Sequence, residues 1–154
     1  MRLYLDCEFD GFGGDLISIA LTGADGREFY WARDDAGVRT RDKWVRENVL
    51  PILDVEGAKP SLTGDFKPKL EMATALQVFL QPYAEVEVIA DWPEDIRHFC
   101  DLMITGPGER IDTPPISFEI VRIDAYPTTL PGAVQHNALW DARAIKHAMT
   151  ATTV

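Results

Sequence analysis

The chain has 154 residues, the size of one compact domain, and we expect residues 1–154 to form a single domain. Hydrophobic residues make up 46% of it and charged residues 26%, which favours an ordered core over intrinsic disorder. No apolar run approaches the roughly 20 residues of a bilayer span, and the first residues do not resemble a signal peptide. Two cysteines are too few for a disulfide framework. We therefore expect a cytoplasmic protein with no membrane partner.

The net charge is strongly negative. Twenty-five acidic residues against fifteen basic ones give −10 at pH 7, the wrong sign for a protein that holds long nucleic acid by neutralising phosphates. Solubility explains the acidity most simply. A nucleic-acid function would need another source of positive charge, which bound divalent cations would supply.

The first part of the chain predicts a three-stranded antiparallel meander. A β-rich run over residues 2–9 ends at a glycine-rich turn over 10–14. The second strand is predicted over 16–22. A turn at Ala24-Asp25-Gly26 then leads into a third strand over 28–32.

The rest of the chain alternates helices and strands. Asp42 is a candidate cap for a helix that ends near Pro51, and Asn137 for a last helix over 138–149. The other predicted elements are a helix over 70–80, a strand over 86–90, a helix from about 94 to 103 and a strand over 116–123. The buried face of the helix from about 94 is predicted to consist of Ile96, Phe99, Cys100 and Met103. Residues 57–69 and 106–115 are interpreted as loops, so the pattern indicates an α/β or α+β domain with a mixed sheet.

Two acidic residues alternate on the first strand. Asp6 and Glu8 are two residues apart, so their carboxylates project from the same face, while Leu5 and Cys7 point the other way. Adjacent carboxylates repel each other unless a positive charge lies between them, and a shared divalent cation would provide it. An exposed acidic strand face is the alternative explanation.

Three more candidate residues lie near helix starts. Asp91 ends the fourth strand and Asp95 opens the helix after it, so either would reach a crevice at the rim of the sheet. His136 precedes the last helix, and Asp141 lies about one turn into it. An imidazole that titrates near neutrality suits a general base. Taken singly, each of these residues has an ordinary structural explanation as a cap, a dipole partner or a packing residue.

The ordered set is more specific than its members. The stretches LYLDCEF (3–9), IADWPEDI (89–96) and QHNALWDA (135–142) together resemble the motifs of the DEDDh 3′–5′ exonucleases of the RNase T / RNase H-like superfamily. The segments LISIAL (16–21) and DGREFY (25–30) are similar to its compact bacterial exoribonuclease branch. The resemblance leaves 57–69 and 106–131 unmatched. It implies an RNase H-like mixed sheet with an N-terminal three-strand meander, flanked by helices.

The resemblance also implies a set of metal ligands. Asp6, Glu8, Asp141 and a mid-chain aspartate would hold two divalent cations, Mg²⁺ or Mn²⁺, which oxygen ligands favour. Asp95 is the preferred mid-chain residue because the family's aspartate begins a helix. The family usually has an aromatic residue just before that aspartate, which Asp95 lacks, and this stretch is also one residue shorter than usual. Asp91 therefore stays an alternative.

The implied activity is removal of nucleoside 5′-monophosphates from 3′ ends, with His136 as the general base and two metal ions that stabilise the attacking and leaving oxygens. Single-stranded RNA or short oligonucleotides are the expected substrates. A DNA-directed exonuclease of the same fold and a non-catalytic nucleic-acid-binding module are the alternatives. The resemblance also implies a homodimer.

Two phenylalanines are candidates to bind the 3′ terminus. Phe9 is preferred, because it follows the second acidic residue, where the family borders the terminal nucleotide, and Phe12 lies in the glycine-rich turn. Stacking of a base on an aromatic ring is worth about 1–3 kcal/mol and tolerates any sequence. Packing explains both residues equally well. The densest basic cluster would contact phosphates or form a solvated helix face; it consists of Arg39, Arg41, Lys43 and Arg46.

Overall fold

The computed structural model describes residues 1–60, 69–122 and 130–151. Its strands are β1 (Arg2–Phe9), β2 (Leu16–Gly23), β3 (Glu28–Ala32), β4 (Val86–Ala90), β5 (Ile104–Gly106), β6 (Glu109–Arg110) and β7 (Ile116–Ile120). Its helices are α1 (Ala36–Arg39), α2 (Lys43–Asn48), α3 (Lys69–Leu80), α4 (Pro93–Met103) and α5 (Ala138–Ala151), and a 3₁₀ turn (Leu50–Ile52) follows α2. None of the helices in the described part is long and apolar enough to cross a bilayer.

Five of the strands form one mixed sheet in the order β3-β2-β1-β4-β7. The pairs β1–β2 and β2–β3 are antiparallel, which confirms the predicted meander. The pairs β1–β4 and β4–β7 are parallel. Helices flank this sheet, so the prediction of an α/β fold with a mixed central sheet is confirmed.

The alternation of β1 divides its residues between two faces of the sheet. Leu3, Leu5 and Cys7 belong to the main core, together with buried residues of α3 and α4. Tyr4 belongs to a smaller cluster with Ile145 of α5 on the other face. Because side chains alternate along a strand, Asp6 and Glu8 share the face of Tyr4, the face on which α5 packs.

Both predicted helix caps are present. The Asp42 carboxylate accepts a hydrogen bond from the Val45 N–H at 2.9 Å at the start of α2. The Asn137 side-chain oxygen accepts one from the Trp140 N–H at 3.2 Å at the start of α5. The Asn137 amide also donates to the Tyr30 hydroxyl at 3.2 Å, which joins the start of α5 to β3.

The predicted buried face of α4 is wrong by about one residue. The buried side chains are Asp95, His98, Phe99 and Leu102, whereas Ile96, Cys100 and Met103 are half-buried. The reason is that two polar side chains have tertiary neighbours inside the protein. Asp95 lies among other carboxylates, and the His98 ring lies 5.0 Å from that of Phe9.

Other boundaries differ in smaller ways. The region predicted as a loop over 106–115 contains β6, which pairs with β5, and α1 was not predicted. The elements α1, β5 and β6 have two to four residues each, which is too few to show a hydrophobic periodicity in the sequence. Two parts of these predictions lie outside the described residues: residues 61–68 of the loop predicted over 57–69, and Ile123 at the end of the strand predicted over 116–123.

Candidate metal centre

Parallel pairing of β1 and β4 brings the first acidic residues together. Tyr4 lies beside Ile89 in the register of the two strands, so Asp6 and Asp91 follow at the same level. Asp95 comes from α4, which begins three residues after β4 ends. Asp141 comes from α5, which packs on β1 and β2. Residues from three distant parts of the sequence therefore meet at the carboxyl ends of two parallel strands.

The acidic residues form two adjacent groups. Carboxylate oxygens of Asp6, Asp91 and Asp95 all lie within 4.8 Å of one another. Donor atoms of Glu8, His136 and Asp141 form a second group with the same spacing. The structure thus brings together all four acidic residues that the family resemblance implies, the histidine, and both candidates for the mid-chain position.

Burial and mutual repulsion raise the pKa values of these carboxyl groups. Burial raises the pKa of Asp6 well above its usual range, and the charges of Asp95, Asp141, Glu8 and Asp91 raise it further. The same causes raise the pKa of Glu8 to about 8, with Asp141 as its strongest charged neighbour. Burial and then Asp91 raise the pKa of Asp95 to about 8. Without a cation, these carboxyl groups keep protons near neutral pH.

Two carboxylate oxygens of this group lack a hydrogen-bond partner. Within the described part of the chain, Asp6 Oδ2 and Asp95 Oδ2 are buried and accept no hydrogen bond. A buried polar atom without a partner is costly, about 1–3 kcal/mol or more if it is charged. A hard divalent cation would satisfy both oxygens and offset the repulsion. The donor set therefore fits Mg²⁺ or Mn²⁺.

His136 has an unusual backbone conformation. Its φ of 66° lies in the left-handed region, which residues with a Cβ adopt uncommonly. Its backbone N–H donates to Asp141 Oδ2 at 2.9 Å, and its ring lies 4.9 Å from that of Trp44 at 85°. Burial lowers the pKa of His136, so the imidazole is neutral at pH 7 and able to accept a proton.

The two predicted substrate-binding phenylalanines differ in exposure. Phe9 packs against the main core and the ring of His98, whereas Phe12 is 98% exposed. The turn that carries Phe12 is tied to α4, because Glu94 Oε1 accepts a hydrogen bond from the Gly13 N–H at 2.8 Å. Phe12 therefore presents a free aromatic face, and most contacts of Phe9 are internal.

The predicted basic cluster is engaged in local contacts. Lys43 pairs with Glu47 at 3.7 Å, and Arg46 donates to the Thr40 carbonyl at 3.2 Å. Arg39 lies 3.9 Å from Asp15. These exposed pairs are weak, so the cluster is a solvated surface that also stays accessible to phosphates.

Sequence reasoning missed two aromatic residues beside the acidic group. Trp44 on α2 contacts His136, and Trp92 directly follows Asp91; they are 52% and 56% exposed. The local pattern of this short helix does not separate Trp44 from its neighbour Val45, and Val45 is the buried residue.

Comparison with known proteins finds a partial similarity. No family model matches the chain. Two curated proteins of Mycobacterium tuberculosis are each 42% identical to it over 55 residues: the 3′-5′ exoribonuclease MT2234.1 of strain CDC 1551 / Oshkosh and the 3′-5′ exoribonuclease Rv2179c of strain ATCC 25618 / H37Rv. The match covers 34% of this chain and 33% of each relative. The chain thus spans about a third of the length of the curated relatives it matches, and its similarity to 3′-5′ exoribonucleases is partial.

Proposed function

We propose that the protein is a DEDDh-type 3′–5′ exonuclease with an RNase H-like fold that acts on single-stranded RNA or short oligonucleotides. The observation that carries this proposal is the meeting of Asp6, Glu8, Asp95 and Asp141 at one point, with two buried carboxylate oxygens that lack partners. The partial similarity to two exoribonucleases supports the choice of reaction and of RNA.

Asp6, Glu8, Asp95 and Asp141 would hold two divalent cations, Mg²⁺ or Mn²⁺. When bound, these ions supply Lewis-acid stabilisation of the charge that develops on the attacking and leaving oxygens. Carboxylate oxygens are the hard donors that such ions prefer, and the negative charge of the four carboxylates would offset that of the two ions. Asp91, which lies within 4.8 Å of Asp6 and Asp95, is the alternative mid-chain ligand.

His136 would act as the general base. Its neutral imidazole accepts a proton from the attacking water as the new P–O bond forms and the bond to the 3′-oxygen breaks. The leaving 3′-oxygen then gains a proton from solvent, so the products are a nucleoside 5′-monophosphate and a chain shortened by one unit. Glu8 and Asp141 lie within 4.8 Å of the imidazole donor atom, so the base lies directly beside the carboxylates that would hold the ions.

Phe12 would stack on a base near the 3′ end. Its ring is exposed and lies four residues after Glu8, at a turn that α4 holds in place. Stacking of this kind does not depend on base identity, which suits an enzyme that removes one nucleotide after another.

We also propose that residues 1–154 form one exonuclease domain. The cytoplasmic location and the homodimer stay predictions from the sequence.

The test compares digestion of two oligonucleotides of equal sequence, one RNA and one DNA, each labelled at its 5′ end. We expect a ladder of products shortened from the 3′ end and release of nucleoside 5′-monophosphates in Mn²⁺, with RNA digested faster. Asp6→Asn should abolish release, and Asp34→Asn, at an exposed position, should not change it. Faster digestion of DNA would favour the DNA-directed enzyme. Binding of RNA with no release would favour the binding module.

A further inference from the structure

Trp44 is a half-exposed tryptophan with a specific neighbour. The centroid of its ring lies 4.9 Å from that of His136, and the two planes meet at 85°, an edge-to-face pair. This distance and angle are those of the favourable aromatic arrangement. Trp44 is otherwise 52% exposed, so its indole contributes little to any core cluster, and its contact with His136 needs an explanation of its own.

The backbone of His136 is fixed more firmly than its ring. The hydrogen bond from its N–H to Asp141 Oδ2 sets the position of the main chain. The left-handed φ of 66° places the side chain in a direction that a regular helix start would not give. Rotation about the side-chain bonds still decides whether the imidazole faces the acidic group, and a neighbouring ring can select one rotamer.

We propose that Trp44 is a positioning residue that holds the imidazole of His136 toward Glu8 and Asp141. The proposal rests on the proposed function, in which His136 is the general base. An edge-to-face pair favours one ring orientation by about 2- to 12-fold over its competitors. Only molecules with the imidazole in place react, so the turnover rate follows the population of that orientation.

The helix that carries Trp44 is anchored well enough to serve this purpose. Val45 of α2 is buried in a cluster with Ile17, and Asp42 caps the helix. The Asp10 carboxylate accepts hydrogen bonds from the backbone N–H groups of Asp42 at 2.8 Å and of Arg41 at 2.9 Å. Since Asp10 lies two residues after Glu8, these bonds connect the strand that carries the first carboxylates to the helix that orients the base.

The first test reads the ring of His136 directly and needs no activity. The chain has three histidines, so their NMR signals are assignable by substitution of each in turn. Trp44→Ala and Trp44→Leu should both move the Hα–Hβ coupling constants of His136 toward the average of a freely rotating side chain, because the ring is no longer held in one rotamer. Trp44→Phe should keep values near those of the wild type, and the coupling constants of His98 and His147 should not change. Unchanged His136 coupling constants in Trp44→Leu would overturn the proposal.

The second test is a double-mutant cycle on single-stranded RNA in Mn²⁺. Trp44→Ala should lower kcat by about 2- to 12-fold with little change in KM, and Trp44→Phe should restore most of it. In a His136→Ala background, Trp44→Ala should have no further effect. Val78→Ala, which truncates an exposed apolar residue of α3, should match the wild type.

Two outcomes of the cycle would overturn the proposal. A raised KM with an unchanged kcat, or losses that multiply in the double variant, would mean that Trp44 binds a base and does not act through His136. A wild-type protein that releases no nucleotide from RNA or DNA would refute the proposed function instead. In that case the NMR comparison still decides whether Trp44 holds the ring.

Discussion

The stability of the metal-free protein should fall as the pH rises from about 7 to about 8. The pKa values of Glu8 and Asp95 are about 8 in the folded protein, against 4.5 and 3.8 for the same groups without their surroundings. The folded state therefore binds more protons than the unfolded state over this interval, and the stability present at low pH is lost as these groups ionise. Burial lowers the pKa values of His98 and His136. Their contribution to stability therefore rises with pH, and this rise is complete by about pH 7.

The expected size follows from proton linkage. A group with a pKa of about 8 in the folded protein and about 4 in the unfolded chain removes about 1 kcal/mol of unfolding free energy between pH 7 and pH 8. The two groups together give about 2 kcal/mol or less, because they share part of their repulsion, and Asp6, whose pKa is also raised by burial, changes stability in the same direction. A typical domain has a total of about 5–15 kcal/mol, so the loss is measurable.

Urea unfolding followed by circular dichroism would measure this loss, in EDTA and in excess Mn²⁺. In EDTA we expect the free energy of unfolding to fall between pH 7 and pH 8. In Mn²⁺ we expect it to be higher at both pH values, by about 2.7 kcal/mol if the metal is at a hundred times its dissociation constant. Asp95→Asn should make the unfolding free energy of the metal-free protein less dependent on pH, and Asp34→Asn should leave that dependence unchanged. A metal-free stability that is flat or rises between pH 7 and pH 8 would refute the electrostatic reasoning.

Four further predictions test the assigned roles. His136→Ala should bind Mn²⁺ normally in isothermal titration but lose about 10²- to 10⁴-fold in turnover; full activity at neutral pH would contradict its role as the base. Asp141→Asn should weaken Mn²⁺ binding and activity together, and an unchanged metal affinity would remove it from the ligand set. Asp95→Asn should reduce Mn²⁺ affinity more than Asp91→Asn, and the reverse order would assign the mid-chain ligand to Asp91. Phe12→Ala should raise KM for single-stranded RNA by about 5- to 150-fold with little effect on kcat, and an unchanged KM would exclude stacking there.

Local signals in the sequence were enough to predict much of the fold. The meander follows from β-rich runs separated by glycine turns, and its three strands lie within one or two residues of their predicted bounds. The period of two along β1 was enough to predict that Asp6 and Glu8 share a face. Asn137 was predicted as the cap of α5 from its residue type and position, and its side chain accepts the expected hydrogen bond.

Features that depend on tertiary contacts were not predictable from local pattern. The proximity of Asp91 to Asp6 follows from the parallel pairing of β1 with β4, strands more than 75 residues apart in the chain. The buried face of α4 differs from the apolar stripe because Asp95 and His98 have partners inside the protein. The contact of Trp44 with His136 joins α2 to the start of α5, and no periodicity within either segment contains that information.

The link between Glu94 and Gly13 has a consequence for how an oligonucleotide would be bound. The Glu94 carboxylate accepts hydrogen bonds from the Gly13 N–H and from Arg97, and Gly11 and Gly13 adopt the positive φ angles that the tight turn requires. The backbone around Phe12 has therefore lost its conformational freedom before any ligand arrives. An aromatic platform preorganised in this way captures a base without the entropic penalty of ordering a loop, so a short strand with few contacts would still be held long enough to react.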